Sequence, residues 1–179
     1  FVNACFLLAL CIIAAYRRLQ ILPALFFVFF LYLLIIVPQT FGGYVGNLTY
    51  AIYYTRHGWA ALAITLLFYL EPRTIRRSDI FLDTAVLTAL LVYLFYLKMT
   101  FAAVALAFAA ANAVTSRYNF RLSSWSLVIF GGVVGALHFF TPYGSAYLND
   151  VFGVVQRVSE RSSSAVRYVR LVLDYLDVI

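Results

Sequence analysis

One polar and aromatic cluster in this sequence could bind an anionic ligand. It reads Tyr53-Tyr54-Thr55-Arg56-His57-Gly58-Trp59-Ala60. The guanidinium of Arg56 is a planar fork of donors that matches the oxygens of a phosphate, and Tyr54 and His57 stand beside it to position the rest of a ligand. The same residues also fit an aromatic belt, in which Arg56 would only extend to lipid headgroups. The sequence is compatible with both interpretations.

A single lysine is the second candidate for ligand binding. Lys98 interrupts an apolar stretch that runs from Ala85 to Ala111. If one helix continued through this stretch, Lys98 would be a charge inside the membrane in need of a partner, whereas a turn would leave it at the membrane surface. Two predicted membrane spans flank Lys98, and they require the turn. We therefore expect a hairpin at Lys98, with Thr100 as a further polar contact.

Acidic residues occur at two other places of interest. Residues 143–150 carry the only carboxylate near the end of the last apolar run. Their composition favours helix capping, but Tyr143 and Asp150 are also candidates for polar contacts with a ligand. Asp83 follows Asp79 by one helical turn, and we expect it to pair with Arg76 or Arg77 and to fix the orientation of its helix.

Several other kinds of site can be set aside. His57 and His138 lack His, Cys or carboxylate partners at ligand spacing, so no metal site is predicted. The glycines in residues 42–46 neither follow a strand nor precede a Lys and Ser/Thr pair, which excludes a phosphate-binding loop. The net charge of +6 comes from small basic clusters between apolar runs, so no nucleic-acid partner is expected. Gly131 and Gly135 have the spacing of a small-residue pair, which predicts close packing of another helix.

Apolar helices are the elements that must position these residues. The chain is 65% hydrophobic and only 11% charged, far more apolar than a soluble domain of its length. The fold class is therefore predicted to be all-α, a polytopic transmembrane bundle of about six spans. The predicted spans are residues 1–16, 21–37, 58–70, 80–97, 99–115 and 122–140. The third is short, and it must either recruit the aromatic run 50–54 or be a re-entrant element.

The arginines predict which way the bundle faces. Basic residues near span ends stay on the cytoplasmic side. The first, third and fifth connections carry seven arginines, whereas the second and fourth carry only Arg56 and Lys98. We expect the arginine-rich connections to be cytoplasmic, and Arg56 and Lys98 to be exterior.

The last part of the chain has a different character. Residues 141–179 contain four arginines and four acidic residues and are much more polar than the rest. We predict two domains, a transmembrane bundle over 1–140 and exterior or interfacial amphipathic helices over 141–179. In the second of these helices Arg167, Arg170, Asp174 and Asp177 share one stripe, which favours a helix lying in the membrane interface over one buried in a bundle.

Three short motifs resemble a known class of proteins. Residues 54–60, residues 97–101 and residues 144–150 together resemble the second half of multi-span bacterial proteins of envelope-polysaccharide loci, which are similar in layout to the GT-C glycosyltransferases. The resemblance implies a polyprenyl-phosphate-linked sugar as substrate, with Arg56 and Lys98 beside its phosphate. GT-C enzymes usually place a catalytic acid in the first exterior loop. That acid would lie upstream of Phe1, since we expect this chain to be the C-terminal part of a longer protein.

The main alternative is a non-catalytic subunit or assembly factor of a larger membrane complex, which would use its aromatic and small-residue faces for packing. Either function predicts a multi-pass protein of the bacterial inner membrane, with lipids and possible membrane subunits as partners and no cofactor. A transporter is less well supported, because no helix is clearly broken at mid-membrane. The two main hypotheses differ in geometry: the enzyme requires Arg56 and Lys98 to converge on one exterior cavity.

Overall fold

The computed structural model describes residues 2–36, 50–73, 77–141, 146–147, 149–150 and 152–153. Within these residues the protein has six α-helices and no strand, so the predicted all-α class is confirmed. The helices are α1 (Val2–Arg18), α2 (Ile21–Ile36), α3 (Tyr50–Leu66), α4 (Arg77–Leu97), α5 (Met99–Ala113) and α6 (Arg117–Phe140). A 3₁₀ turn, Leu67–Tyr69, extends α3.

Two tight hairpins join four of the helices in pairs, α1 with α2 and α4 with α5. α1 and α2 are separated only by Leu19 and Gln20, and Pro23 falls in the first turn of α2, where a missing N–H costs no helical hydrogen bond. α4 and α5 are separated by Lys98 alone, whose backbone is extended with φ −168° and ψ 126°. The predicted turn at Lys98 is confirmed.

α3 is the central helix, in contact with α1, α2, α4 and α5. Its buried face carries the small residues Ala60 and Ala61 beside Ile64, which lets neighbouring helices approach closely. α4 contributes a continuous leucine face to the same core. The fully or nearly fully buried leucines of that face are Leu87, Leu90, Leu91 and Leu94.

The short third apolar run recruits the aromatic residues before it. α3 begins at Tyr50 and continues through the 3₁₀ turn to Tyr69, so one helix includes both residues 50–54 and the short apolar run. The extended backbone of Leu70 and the following Pro72 end this segment.

Two of the described helices are long and apolar enough to cross a membrane, Asp79–Leu97 and Arg117–Phe140. Ile21–Ile36 and Met99–Ala113 are apolar but shorter. A 16-residue helix rises about 24 Å, less than the roughly 30 Å of a bilayer's hydrocarbon core. By length and composition, two helices thus give weak support for a membrane protein, and the predicted bundle of six spans is not confirmed.

The chain forms two compact units, residues 1–133 and 134–179. In the second unit the hydroxyl of Thr141 donates to the carbonyl of Leu137, which closes the last turn of α6. The loop over 38–49 lies outside the described residues, as do nearly all residues of the two predicted C-terminal helices.

Candidate functional site

Charged side chains from two helices meet at one end of the first unit. Arg17 and Arg18 form the last turn of α1, while Asp79 and Asp83 are four residues apart and therefore share one face of α4. Arg17 Nη1 lies 3.1 Å from Asp79 Oδ1, and Arg17 Nε lies 2.9 Å from Asp83 Oδ1. Arg18 Nη2 lies 2.5 Å from Asp83 Oδ2. Both arginines thus converge on one carboxylate.

This carboxylate is deeply buried. The side chain of Asp83 is 1% exposed and that of Arg18 is 0% exposed. The hydroxyl of Tyr118, near the start of α6, donates to Asp83 Oδ2 at 2.7 Å. The Arg18 guanidinium also stacks over the ring of Phe68, 4.1 Å from its centroid. We call Arg17, Arg18, Asp79, Asp83 and Tyr118 the arginine cluster.

Asp83 has two arginine partners that the sequence did not predict. The structure pairs it with Arg17 and Arg18, more than sixty residues away along the chain, because the end of α1 lies against the start of α4. The predicted pairing with Arg76 or Arg77 stays a prediction. The side chains of Arg76 and Arg77 lie outside the described residues.

Ion pairs with two carboxylates hold the Arg17 guanidinium in place. Within the described residues, Arg17 Nη2 and Arg18 Nε are buried without a hydrogen-bond partner.

Hydroxyl and amide groups form a second polar layer between α4, α5 and α6. Thr88 Oγ1 donates to the Ser126 carbonyl at 3.4 Å, and Ser126 Oγ donates to the Thr84 carbonyl at the same distance. Asn112 Nδ2 lies 3.4 Å from Ser123 Oγ. These groups are buried, so their hydrogen bonds tie α6 to its neighbours in defined register.

The other end of α4 carries Lys98, about 28 Å from Asp79 along the helix axis. Lys98 is exposed, and its ammonium lies 5.9 Å from the centroid of the Phe101 ring. The Trp59 ring packs edge-on against the same ring, with centroids 5.8 Å apart. A Cβ built on Gly58 would lie 2.5 Å from that ring, so α3 and α5 touch here.

Phe101 therefore joins two of the sequence motifs, residues 54–60 and residues 97–101. Arg56 and His57 are half-buried on α3, and each takes part in an interaction of its own. Tyr54 and Thr100 are exposed. The structure brings Lys98 and the Arg56-bearing segment to the same end of the first unit.

The third motif belongs to the second unit. Tyr143 lies outside the described residues, and Asp150 is exposed. Among the described side chains there is no group of three or more His, Cys, Asp or Glu residues that could hold a metal ion.

The sequence predicted neither the arginine cluster nor the second polar layer of hydroxyl and amide groups. One available signal was Tyr118 and Asn119, polar residues at the start of an apolar helix. Another was Asn112, an amide within an alanine-rich helix, because polar groups at membrane depth are expected to face a partner. Both asparagines are buried. Their partners could not be read from the sequence, since these depend on how the helices cross.

Comparisons of this chain with protein-family models, with curated proteins and with solved structures gave no match. The site must therefore be interpreted from its own geometry and chemistry.

Proposed function

We propose that this chain is a multi-span membrane protein in which all six helices lie in the bilayer. Large apolar side chains on the surface of the first unit support this. On α2 the exposed residues are Ile21, Leu22, Leu25, Phe26, Phe29, Phe30, Leu33 and Ile36. On α6 they include Trp125, Val128 and Ile129. Water does not tolerate apolar faces of this extent, whereas lipid tails solvate them.

We propose that the arginine cluster lies on the cytoplasmic side of the membrane and that Lys98 lies on the exterior side. The backbone N–H of Arg73 donates to the Arg17 carbonyl at 3.0 Å, which holds the third connection beside the first. The first turns of α6, with Arg117 and Arg121, start at the Tyr118 end of the cluster. Arginine-rich connections thus gather at one end, as the positive-inside rule expects of a cytoplasmic face.

At the exterior end the protein binds the phosphate of a lipid-linked substrate. The observation that carries this proposal is the meeting of Lys98, Trp59 and Gly58 around the Phe101 ring. It places an exposed ammonium beside the helix that bears Arg56, on an apolar and aromatic platform that suits a polyprenyl chain. Two cations could then stabilise the charge of a departing phosphate.

The resemblance to GT-C glycosyltransferases fits this arrangement. In such an enzyme a carboxylate deprotonates the acceptor hydroxyl while cations hold the phosphate leaving group. Arg56 and Lys98 fill the second role in our proposal. Membrane insertion and lipid binding do not depend on that acid, so they can be tested with this chain.

The test is native mass spectrometry of the detergent-purified protein with polyprenyl phosphate, using polyprenol without the phosphate as the reference lipid. Lys98→Gln should weaken binding of the phosphate lipid about fivefold, because one cation near a membrane surface contributes about 1 kcal/mol to the binding of an anionic lipid. Arg121→Gln, which removes an exposed charge from the start of α6, should leave it unchanged.

Equal binding of polyprenol and polyprenyl phosphate, or no effect of Lys98→Gln, would contradict a phosphate site at this end. The result would favour the alternative function, a structural subunit whose exposed faces pack against other membrane proteins. Density for a co-purified lipid beside Lys98 in an experimental structure would support the proposal independently.

A further inference from the structure

Two adjoining cavities lie on α1 and α2 near the arginine cluster. The first, of ≈ 410 Å³, is lined by Tyr16, Arg17, Ile21 and Arg73. The second, of ≈ 420 Å³, is an apolar groove lined by Ile12, Tyr16, Ile21, Ala24, Leu25 and Val28. Tyr16 and Ile21 line both. A cationic mouth thus continues directly into an apolar groove.

Two arginines line the mouth. Arg17 is fixed by its carboxylate partners, and its Nη2 atom is buried without a hydrogen-bond partner in the described part of the chain. Arg73 is exposed, and its backbone hydrogen bond to the Arg17 carbonyl keeps its Cα beside that helix end. Two guanidinium groups in one cavity match the oxygens of a phosphate, which arginine binds through two parallel hydrogen bonds.

We propose that this composite cavity binds one anionic phospholipid of the cytoplasmic leaflet. The phosphate sits between Arg17 and Arg73, and one acyl chain lies in the groove between α1 and α2. This site is distinct from the one at Lys98, at the opposite end of α4, and it rests on the membrane insertion proposed above.

Charge complementarity and the shape of the cavity select this occupant. A free phosphate would use the arginines but leave the apolar groove empty, and a neutral lipid would fill the groove but leave the mouth unmatched. Basic pockets between helices on the cytoplasmic side recognise anionic headgroups, because that leaflet is rich in them. The lipid would also link the first and third connections, both of which contribute an arginine.

The experiment is a lipid titration of the full chain by native mass spectrometry, comparing phosphatidylglycerol with phosphatidylcholine of identical acyl chains. The unmodified protein should prefer phosphatidylglycerol. Arg73→Gln should weaken that binding about fivefold, while Arg121→Gln, which removes the same charge elsewhere, should not. Arg73 is exposed and outside the arginine cluster, so its replacement leaves the buried ion pairs intact.

A second pair of variants tests the groove. Leu25→Trp fills it and should weaken phosphatidylglycerol binding, whereas Leu22→Trp, on the exposed surface of the same helix, should not. Unchanged binding in both Arg73→Gln and Leu25→Trp would overturn the proposal. Displacement of the lipid by inorganic phosphate would also overturn it, since the cavity would then be a site for the free anion.

This outcome is separable from the fate of the proposed function. Binding of polyprenyl phosphate and its dependence on Lys98 are measured on the same preparation. Retained phosphatidylglycerol preference with no effect of Lys98→Gln would refute only the exterior site, and the reverse pattern would refute only the cytoplasmic one.

Discussion

At the residue scale, Asp83 accepts hydrogen bonds from Arg17, Arg18 and Tyr118, which come from two other helices. A charge this deep in a protein is tolerated because each of its oxygens has a cationic or hydroxyl donor. Removing the carboxylate would leave Arg18, which is fully buried, without a counter-charge.

Asp83→Asn should therefore destabilise the protein by about 3 kcal/mol or more, the cost of stranding a buried charge. Thermal and chemical unfolding in detergent, followed by circular dichroism, would measure the change. Asp150→Asn is the matched control, because Asp150 is exposed and its replacement should alter stability by less than about 0.5 kcal/mol.

A double variant separates the stranded charge from lost packing. Arg18→Met combined with Asp83→Asn removes both partners of the pair, so much of the lost stability should return. If Asp83→Asn alone were as stable as the unmodified protein, the buried ion pairs would not hold α1 and α4 together.

The identity of these partners could not be predicted from sequence. Local spacing identified Asp79 and Asp83 as sharing one helix face, and that much agrees with the structure. The choice of arginine partner depends on the crossing of α1 and α4, which no local pattern encodes. The sequence also predicted the turn at Lys98 correctly. A single charge within a continuous membrane helix would need a partner, so a turn at the membrane surface is the favoured position for it.

At the scale of elements, Gly58 sets how closely α3 and α5 approach each other. Gly58 allows α3 to approach the Phe101 ring of α5 more closely than any Cβ would permit. The spacing of Gly131 and Gly135 predicts close packing of another helix on α6, and an added Cβ at either would meet no atom of the described residues within 4 Å.

Gly58→Ala should lower stability by about 1–3 kcal/mol, because Phe101 is buried and its ring must move to admit the new methyl group. Gly131→Ala is the matched control in another helix. With open space around it, this change should raise stability by about 0.5–1 kcal/mol through helix propensity alone. Unfolding in detergent measures both.

Phe101→Leu should relieve the clash and restore part of the stability of Gly58→Ala, so the two changes should be non-additive in a double-mutant cycle. A Gly58→Ala variant as stable as Gly131→Ala would contradict the close contact between α3 and α5.

The centres of all six helices were predictable, because each apolar run is a helix in the structure. Their ends were less so. α4 begins at Arg77 and α6 at Arg117, both earlier than the apolar runs suggested, since a helix continues into polar residues that hydropathy excludes. These polar first turns carry Asp79 and Tyr118. Because hydropathy excludes polar residues, it misses both the starts of these helices and the two members of the arginine cluster that lie there.

At the scale of the whole molecule, the two proposed lipid sites depend on which side of the membrane each connection faces. Two helices are long and apolar enough to span on their own, and four others are proposed to span with them. In the first unit, Arg73 lies beside the arginine cluster and Lys98 at the far end of α4. Both residues are exposed, which makes them suitable positions for labelling.

The measurement that tests this most directly is cysteine accessibility in intact bacterial cells expressing the chain. Cys5→Ala and Cys11→Ala remove the two native thiols, and Lys98→Cys or Arg73→Cys then introduces a single one. A membrane-impermeant maleimide should label the Lys98→Cys variant in intact cells and the Arg73→Cys variant only after permeabilisation. Labelling of both variants from the same side, or recovery of the chain in the soluble fraction, would contradict the membrane arrangement on which both lipid sites depend.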